Sequence, residues 1–209
     1  MLPLVEKYFN EISDLQLSQL EKYKNILLDW NTKINLISRK DQDNFEEHHL
    51  LHSLAITKFY NFIPQQKVVD IGTGGGLPGI PLAIMFPQTE FILIDSRKNK
   101  IIALKEIVYS LQLTNVTVVN ERVENLNITY NLAIGRAVGN MQTLINWITP
   151  KIRPLQSEPF LIYLKGDDIF DEIPSLNYKY NIKSLKEIID LPYYQDKYLV
   201  MLYKLSNHE

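Results

Sequence analysis

Apolar side chains recur at helical spacing along the first sixty or so residues. Leu20, Tyr23, Leu27, Trp30 and Ile34 follow one another at alternating intervals of three and four residues, which puts them on one face of a helix. This pattern predicts a long amphipathic helix that buries its apolar face against other parts of the chain.

Two further features bear on the ends of the N-terminal helices. Ser18 and Glu21 have the spacing of a capping box, in which each side chain binds a backbone N–H near the other, and they predict the start of the first helix. Residues 45–63, FEEHHLLHSLAITKFYNFI, repeat the amphipathic pattern and predict a second helix that Pro64 ends. We therefore expect residues 1–64 to form a helical extension packed on the core.

The pattern of the chain changes at Lys67. Short apolar runs alternate there with turns and helical patterns, and these runs are KVVDI, EFILID, NVTVV, YNLAIGRA and PFLIYLK. NKIIALKEIVYSLQL, between two of them, has the periodicity of a crossover helix. This alternation predicts a doubly wound α/β domain with a parallel sheet over residues 65–209. Near its end, YNIKSLKEII and KYLVMLYKL predict an antiparallel hairpin.

Composition narrows the class of protein. The 209 residues are 45% hydrophobic and carry a net charge of −2, which argues against a uniformly basic surface but leaves local basic faces open. The absence of cysteine excludes disulfides, thiolate metal sites and cysteine nucleophiles. No segment reaches the roughly 18 uncharged apolar residues of a membrane span, and no signal pattern begins the chain. We expect a soluble, cytoplasmic protein.

Five of the eight glycines lie in one short loop after the first apolar run, within VVDIGTGGGLPGIPLA. Strand, tight glycine turn and helix N-terminus together are typical of nucleotide-cofactor sites, since glycine allows sharp turns and close approach to a ligand. Gly74, Gly76 and Gly79 match the G-x-G-x-x-G pattern of dinucleotide sites, with Asp95 about twenty residues further on. S-adenosylmethionine is the other cofactor that such a loop could bind.

Two features favour S-adenosylmethionine. Asp70 ends the strand before the loop, where its carboxylate would repel a pyrophosphate but attract the cationic methionine end of S-adenosylmethionine. Pro78 lacks the backbone N–H that a phosphate would need. Asp95 ends the second strand and could accept both ribose hydroxyls, or could instead cap the following helix. Val123 and Glu124, after the third strand, lie at the height of an adenine, although an ordinary surface loop would have the same spacing.

Several segments resemble the bacterial ribosomal RNA small-subunit methyltransferase G family, formerly glucose-inhibited division protein B. They are WNTKINLIS, VVDIGTGGGLPGIPLAI, LIDSRKNKIIAL, ERVENL, GRAV and LKG, and they span nearly the whole chain in the family's order. The resemblance implies a class I, Rossmann-like methyltransferase fold with a seven-stranded, mostly parallel sheet. It also implies S-adenosylmethionine as methyl donor and N7 methylation of one guanine of 16S rRNA, conventionally guanine 527 in a loop near the decoding site.

The resemblance, with the loop analysis, gives a set of cofactor-binding candidates: Asp70, Gly72, Thr73, Gly74, Leu77, Asp95, Val123, Glu124 and Arg136. Two departures from the family pattern stand out. Gly75 occupies a position where the family usually has proline, and His52 replaces the acid of the family's H-x-x-D-S segment. The chain therefore lacks a carboxylate at this position of the segment.

Guanine N7 already carries a lone pair, so its methylation requires alignment and desolvation rather than a general base. Arg136, ending the fourth strand, could donate to guanine O6, and we favour this role over a structural salt bridge. Lys165, ending the fifth strand, is a similar candidate. His49 matches the family histidine and could help to frame the site. His48 and His52 have metal-ligand spacing, but no third ligand is evident and we expect no metal.

Contact with RNA requires positive charge, and small basic clusters occur at three places: Arg39 with Lys40, Arg97 and Lys98 with Lys100, and Lys151 with Arg153. Two clusters on one side of a cleft would form a phosphate-binding track. We expect 16S rRNA or the small ribosomal subunit as partner, and a monomer. Three alternatives remain open from sequence: a small-molecule methyltransferase, a nicotinamide-dependent oxidoreductase and a noncatalytic RNA-binding module.

Overall fold

The computed structural model describes residues 1–173 and 176–205. Its strands are β1 Lys67–Ile71, β2 Glu90–Ile94, β3 Val116–Val119, β4 Leu132–Arg136, β5 Leu161–Lys165, β6 Lys179–Ser184 and β7 Tyr198–Tyr203. Its principal helices are α1 Pro3–Tyr8, α2 Asp14–Lys33, α3 from Glu46 to Lys58, α4 Gly79–Met85, α5 Lys98–Leu111, α6 Met141–Ile148 and α7 Ile169–Glu172. Among the described helices, none is long and apolar enough to cross a membrane.

The strands form one seven-stranded sheet in the order β3-β2-β1-β4-β5-β7-β6. The first five strands of that order are parallel, and β7 runs antiparallel to both of its neighbours. The predicted doubly wound α/β fold and the terminal hairpin are confirmed. Strand order reverses between β1 and β4, and ligands of such sheets bind beyond the carboxyl ends of the strands at this point.

Helix α2 begins earlier than the capping pattern predicted. Ser13 is its N-cap and shares a capping box with Gln16, whereas Ser18 and Glu21 lie inside the helix, so that prediction is wrong. The first turn is solvent-exposed, with Leu15 71% accessible, and apolar periodicity therefore does not mark it.

The segment after Phe45 is helical but irregular. It has π-helical hydrogen bonding over Glu46–Leu51, one α turn over His52–Leu54 and a 3₁₀ turn over Ala55–Lys58. It ends at Lys58 rather than at Pro64, so the predicted end of this helix is wrong. The apolar residues that follow it lie in a connection without regular secondary structure, in which Phe62 contacts the rings of Phe86 and Phe91.

Both faces of the central strands β1, β4 and β5 are buried, as expected for parallel strands between helices. Along β1, Val68 faces the same apolar cluster as α2, α3, α4 and α5, while Val69 and Ile71 face the cluster built on α6. The N-terminal helices contribute Leu20 and Leu27, both fully buried, to the first cluster. The end of the sheet that carries the glycine loop thus lies close to α2 and α3.

Candidate active site

The glycine loop turns tightly between β1 and α4. Gly72 has a φ of +62°, a conformation that side-chain-bearing residues rarely adopt. Thr73 N donates to Ile94 O of β2 at 2.9 Å, which ties the loop to the neighbouring strand. At Gly79, an added Cβ would lie 2.2 Å from Leu93 Cδ2, so only glycine allows α4 to begin against the sheet.

Asp70 holds the glycine loop through hydrogen bonds to its two ends. Its carboxylate is fully buried, and Oδ2 accepts from Thr73 Oγ1 at 2.6 Å and from Gly79 N at 2.9 Å. Oδ1 has no hydrogen-bond partner among the described residues. Burial raises the pKa of Asp70 to about 7, although the bonds from Thr73 and Gly79 act in the opposite direction. Asp70 therefore lies behind the loop rather than at its surface.

A cavity of about 190 Å³ lies beside the loop, at the carboxyl ends of β1 and β2. It brings together four of the predicted cofactor residues, namely Gly72, Asp95, Val123 and Glu124. Asp95 accepts from Gly74 N at 3.1 Å through Oδ2 and from Arg97 N at 2.8 Å through Oδ1. Each carboxylate oxygen retains a second lone pair, so ribose hydroxyls can still bind there. We call this space the cofactor cavity.

The sequence did not predict the apolar residues that complete the lining of the cofactor cavity. Val138 and Trp147 line it together with Ile71 and Ile94, which gives an apolar surface suited to an adenine ring. Val138 Cγ2 lies 3.2 Å from where a Cβ on Gly72 would be, so the bare glycine leaves space next to this wall. These observations fit the nucleoside end of S-adenosylmethionine.

A second, larger cavity of about 670 Å³ lies at the ends of β4 and β5. It contains all three predicted catalytic residues, and its lining is His49, His52, Arg136, Ala137, Gly139, Asn140, Leu164, Lys165, Gly166, Asp168, Glu172, Tyr193 and Lys197. We call it the acceptor cavity. The loop from Ala137 to Gly139 separates it from the cofactor cavity, and the Tyr163 hydroxyl accepts from Val138 N to hold that loop.

Arg136 is anchored to α3 by two contacts. One guanidinium nitrogen donates to His48 O at 3.1 Å, and the other lies 3.0 Å from His49 Nδ1. Because a guanidinium can only donate, His49 Nδ1 must be the acceptor and its proton must be on Nε2. That Nε2 lies 2.9 Å from Asp41 Oδ2, close enough for attraction but without good hydrogen-bond alignment.

The charge state of His49 follows from these surroundings. Burial, and then the nearby Arg136 charge, lower the pKa of His49 to about 4, while Asp41 acts in the opposite direction. His49 is therefore neutral at physiological pH. Asp41 also binds His48 Nδ1 at 2.5 Å, and the His48 ring stacks on Tyr193 with a centroid distance of 3.8 Å. Sequence analysis missed Asp41, although it directly follows a predicted basic cluster.

His52, which replaces the family's acid, is 4% exposed and lines the acceptor cavity. Neither of its ring nitrogens has a hydrogen-bond partner among the described residues. Burial, with the charges of Arg136 and Lys197, lowers its pKa well below the usual value. A neutral imidazole thus stands where the family pattern has a carboxylate.

Lys165 is engaged by two carboxylates. Its Nζ lies 2.6 Å from Asp168 Oδ2 and 2.6 Å from Glu172 Oε1, and its side chain is only 9% exposed. Burial alone would lower the pKa of Lys165, but hydrogen bonds to the two acids outweigh it and raise that pKa. Glu172 also accepts from Met141 N at 2.7 Å, which ties α7 to the start of α6.

Two of the three predicted basic clusters converge. Arg39, Lys40, Arg97 and Lys100 line one cavity of about 650 Å³, whose described lining contains no acidic residue. It lies next to the glycine loop, since Lys100 Nζ is 3.6 Å from where a Cβ on Gly74 would be. We call it the basic cavity.

The side chains of the third basic cluster, Lys151 and Arg153, bind backbone carbonyls of the protein itself. Lys151 Nζ donates to the carbonyls of Val123 and Glu124, and so supports the turn that lines the cofactor cavity. The Arg153 guanidinium binds the carbonyls of Pro150 and Ile152.

Five cofactor candidates lie outside the cofactor cavity lining, namely Asp70, Thr73, Gly74, Leu77 and Arg136. Thr73 and Gly74 act within the loop, through the contacts already described, and Leu77 is 4% exposed in the apolar core. The loop also meets the N-terminal helices, because the buried Tyr23 hydroxyl donates to Gly75 O at 2.8 Å. Across the described residues, no group of three or more His, Cys, Asp or Glu side chains is arranged to hold a metal.

A seven-stranded sheet with a glycine loop, an acid at the end of β2 and a cavity between them defines a class I methyltransferase. The fold agrees with solved structures: a SAM-dependent methyltransferase from Aquifex aeolicus superposes with a TM-score of 0.57 at 11% identity, covering 79% of this chain and 98% of that one. A precorrin-6y C5,15-methyltransferase from Geobacter metallireducens gives a TM-score of 0.55 at 12% identity, covering 74% and 88%.

Sequence comparison defines the family. The family model described as rRNA small subunit methyltransferase G matches residues 16–192. A ribosomal RNA small subunit methyltransferase G of Christiangramia forsetii is 43% identical, covering 97% of this chain and 99% of the relative. One of Bacteroides thetaiotaomicron is 40% identical, covering 95% and 98%. The chain belongs to the rRNA small subunit methyltransferase G family.

Membership fixes the chemistry that sequence analysis had left open. The protein is an enzyme, its methyl donor is S-adenosylmethionine, and its substrate is ribosomal RNA. A nicotinamide-dependent oxidoreductase, a small-molecule methyltransferase and a noncatalytic RNA-binding module are thereby excluded.

Proposed function

We propose that this protein methylates N7 of a single guanine in 16S rRNA, the one conventionally numbered 527. The observation that carries the proposal is the acceptor cavity, which has room for a purine and is separated from the cofactor cavity only by the loop from Ala137 to Gly139. The base N7 needs no deprotonation before it reacts. His49, whose pKa burial lowers to about 4, and the donor-only Arg136 suit such an acceptor.

The cofactor roles follow from the contacts of the loop. S-adenosylmethionine supplies an electrophilic methyl group carried on a cationic sulfur. Asp95 would accept the ribose hydroxyls, while the backbone near Val123 and Glu124 would read the adenine edge. Asp70 would act at one remove, because it holds Thr73 and Gly79 in place and thereby fixes the loop backbone.

Arg136 would orient the guanine in the acceptor cavity. A guanidinium donates well to guanine O6, which neighbours N7 on the same edge of the base. His49 and Asp41 would fix the angle of that guanidinium through the contacts at 3.0 and 2.9 Å. Alignment of this kind contributes much of the rate in a displacement between two held groups.

The basic cavity would bind the RNA backbone near the target base. Its four cations lie on the side of the glycine loop that faces α2 and α5, and phosphates are the groups that such a cationic surface attracts. The N7 atom is inaccessible in the deep, narrow major groove of duplex RNA, so a base in a loop is the expected substrate. The partner would accordingly be 16S rRNA with such a loop exposed, either free or within the small ribosomal subunit.

Residues 1–64 would serve as a helical extension packed on the core, while residues 65–209 form the methyltransferase domain. The extension would bring Arg39 and Lys40 to the basic cavity and would place Asp41 against His49 of the acceptor cavity. The enzyme would act as a monomer, and in the cytoplasm where ribosomal RNA is assembled.

One experiment tests the proposal directly. The protein is incubated with radiolabelled S-adenosylmethionine and small-subunit particles that lack the modification, and the labelled nucleotide is mapped. We expect label in one guanine and chain cleavage after borohydride and aniline treatment, which is specific for N7-methylguanine. Label in another base, or in a guanine resistant to this cleavage, would refute the proposed position.

A further inference from the structure

Two carboxylates line the acceptor cavity on the side away from the cofactor. Asp168 and Glu172 both contact Lys165 Nζ, each at 2.6 Å, at the end of β5. Nothing in the reaction so far uses them. We propose that Asp168, held in place by Lys165, accepts hydrogen bonds from N1–H and the 2-amino group of the target guanine and thereby selects guanine over other purines. This inference rests on the proposed N7 methylation.

The order of the strands gives the base an orientation. The cofactor cavity lies at β1 and β2, Arg136 ends β4, and Lys165 ends β5 on the far side of β4. A guanine whose N7 faces the cofactor must present N7 and O6 toward β1 and β4. The adjoining Watson–Crick edge, which carries N1–H and the 2-amino group, then continues past O6 toward the end of β5 and Asp168.

The chemistry of that edge calls for an acid. N1–H and the 2-amino group are both donors, and the three cations of the cavity, Arg136, Lys165 and Lys197, can only donate as well. A carboxylate accepts both hydrogens of this edge side by side. An adenine presents a ring nitrogen without a hydrogen at N1, so it would place one lone pair against the acid and be rejected.

Gly166 leaves room for this contact. An added Cβ on Gly166 would lie 3.3 Å from Asp168 Oδ1, while Oδ2 is the oxygen bound to Lys165. The φ angle of Gly166 lies outside the left-handed region, so the backbone does not require glycine here. The missing side chain instead leaves space beside Oδ1, and the Asp168 side chain is 59% exposed.

A separate observation indicates a polar ligand in the same cavity. His52 is 4% exposed and lines the cavity, yet neither ring nitrogen has a partner among the described residues. Buried polar groups are normally satisfied, so a polar molecule that enters the cavity supplies what the protein itself does not.

The acid also suits the change of charge during the reaction. The N7 lone pair forms the new bond to the methyl carbon, the carbon–sulfur bond breaks, and its electron pair remains on sulfur; no proton moves. The positive charge passes to the guanine and makes N1–H and the amino group stronger donors. A carboxylate already aimed at these groups therefore binds the transition state more tightly than the substrate.

The test compares target analogues in binding and turnover. The full-length protein is titrated with a fluorescent 16S rRNA fragment that carries guanine or inosine at the target position, since inosine lacks only the 2-amino group. We expect the wild type to bind inosine RNA about tenfold more weakly. Asp168→Asn should weaken guanine RNA binding about tenfold and abolish the difference between the two RNAs.

Asp171→Asn is the matched control, because Asp171 is exposed on the same short helix and does not line the cavity. It should retain the wild-type difference. The inference is overturned if Asp168→Asn, shown by thermal melting to be folded, keeps the full preference for guanine. An RNA with 7-deazaguanine separates the two proposals: methyl transfer to it would refute reaction at N7 whatever the inosine result.

Discussion

His49 Nδ1 lies 3.0 Å from a guanidinium nitrogen of Arg136, although the two residues are 87 positions apart in the chain. The contact joins the π-helical turn of α3 to the end of β4. It also fixes what each group can do, because Arg136 can only donate and His49 must therefore accept. Residues 1–64 thus contact a residue of the acceptor cavity through this imidazole and through His48 O.

Asp41→Asn tests whether the acid positions Arg136 through His49. We expect kcat to fall about tenfold, because a small misplacement of an orienting group slows an aligned displacement strongly. KM for RNA and affinity for S-adenosylhomocysteine should change little. Asp43→Asn is the control, since Asp43 is exposed two residues further on. A larger KM with unchanged kcat would instead show that Asp41 acts in RNA binding.

His49 should remain neutral far below the pH at which a free histidine titrates. Burial lowers its pKa to about 4, so the folded state binds fewer protons than the unfolded state between about pH 6.5 and 4. Its contribution to stability is present above about pH 6.5 and is lost as the pH falls toward 4. NMR of ¹⁵N-labelled histidine should show a proton on Nε2 and none on Nδ1 at neutral pH; a proton on Nδ1 would contradict the contact with Arg136.

Gly72→Ala should abolish cofactor binding. The added methyl group would meet Val138 Cγ2 at 3.2 Å in the cofactor cavity, and a φ of +62° adds about 1 kcal/mol of strain. Gly139→Ala separates the two effects, because Gly139 has a φ of +89° with nothing within 4 Å of the added Cβ. Calorimetry with S-adenosylhomocysteine should show binding lost only at Gly72. Equal losses at both positions would assign the effect to strain alone.

Loss of charge from the basic cavity should weaken RNA binding for every sequence. Arg39→Ala and Arg97→Ala should each reduce affinity and should lower the slope of log Kd against log salt by about one. Lys179→Ala is the control, because Lys179 is exposed on β6 at the far edge of the sheet. If all three variants share the same slope, the basic cavity does not contact phosphates.

Asp70→Asn should reveal a pH-dependent stability. The folded state raises the pKa of Asp70 to about 7, so it holds the proton more tightly than the unfolded chain does. The stabilisation is therefore complete below about pH 4 and is lost as the pH rises through 7. In denaturant titrations, the free energy of unfolding of the wild type relative to Asp70→Asn should fall over this range. A difference that does not vary with pH would mean that Asp70 is ionised throughout.

Local sequence patterns predict most of the fold. The apolar runs predicted the five parallel strands and the terminal hairpin, because strand length and turn residues are encoded in neighbouring positions. The same locality explains the two errors. An exposed first turn hides the start of α2 from apolar periodicity, and a π-helical turn departs from the 3.6-residue repeat that such periodicity assumes.

Site residues likewise differ in whether local sequence can reveal them. Gly72 and Asp95 were predicted because each lies at a strand end, a position that can be read from the sequence. Asp41 could not be predicted in this way, since its role depends on its contact with His49 and on the contact of His49 with the distant Arg136. Lys165 was found, but its two carboxylate partners were not, because nothing in their spacing sets them apart from an ordinary surface helix.

The hydrogen bond from the Tyr23 hydroxyl to Gly75 O has a consequence for protein engineering. A hybrid enzyme that takes its first 64 residues from another protein would keep this contact with the loop only if that protein supplied a tyrosine at this position. With phenylalanine there, the loop carbonyl would be stranded in an apolar interior, and the methyl donor would be held less firmly. The helices that pack over the core are thus part of what keeps the methyl donor in place.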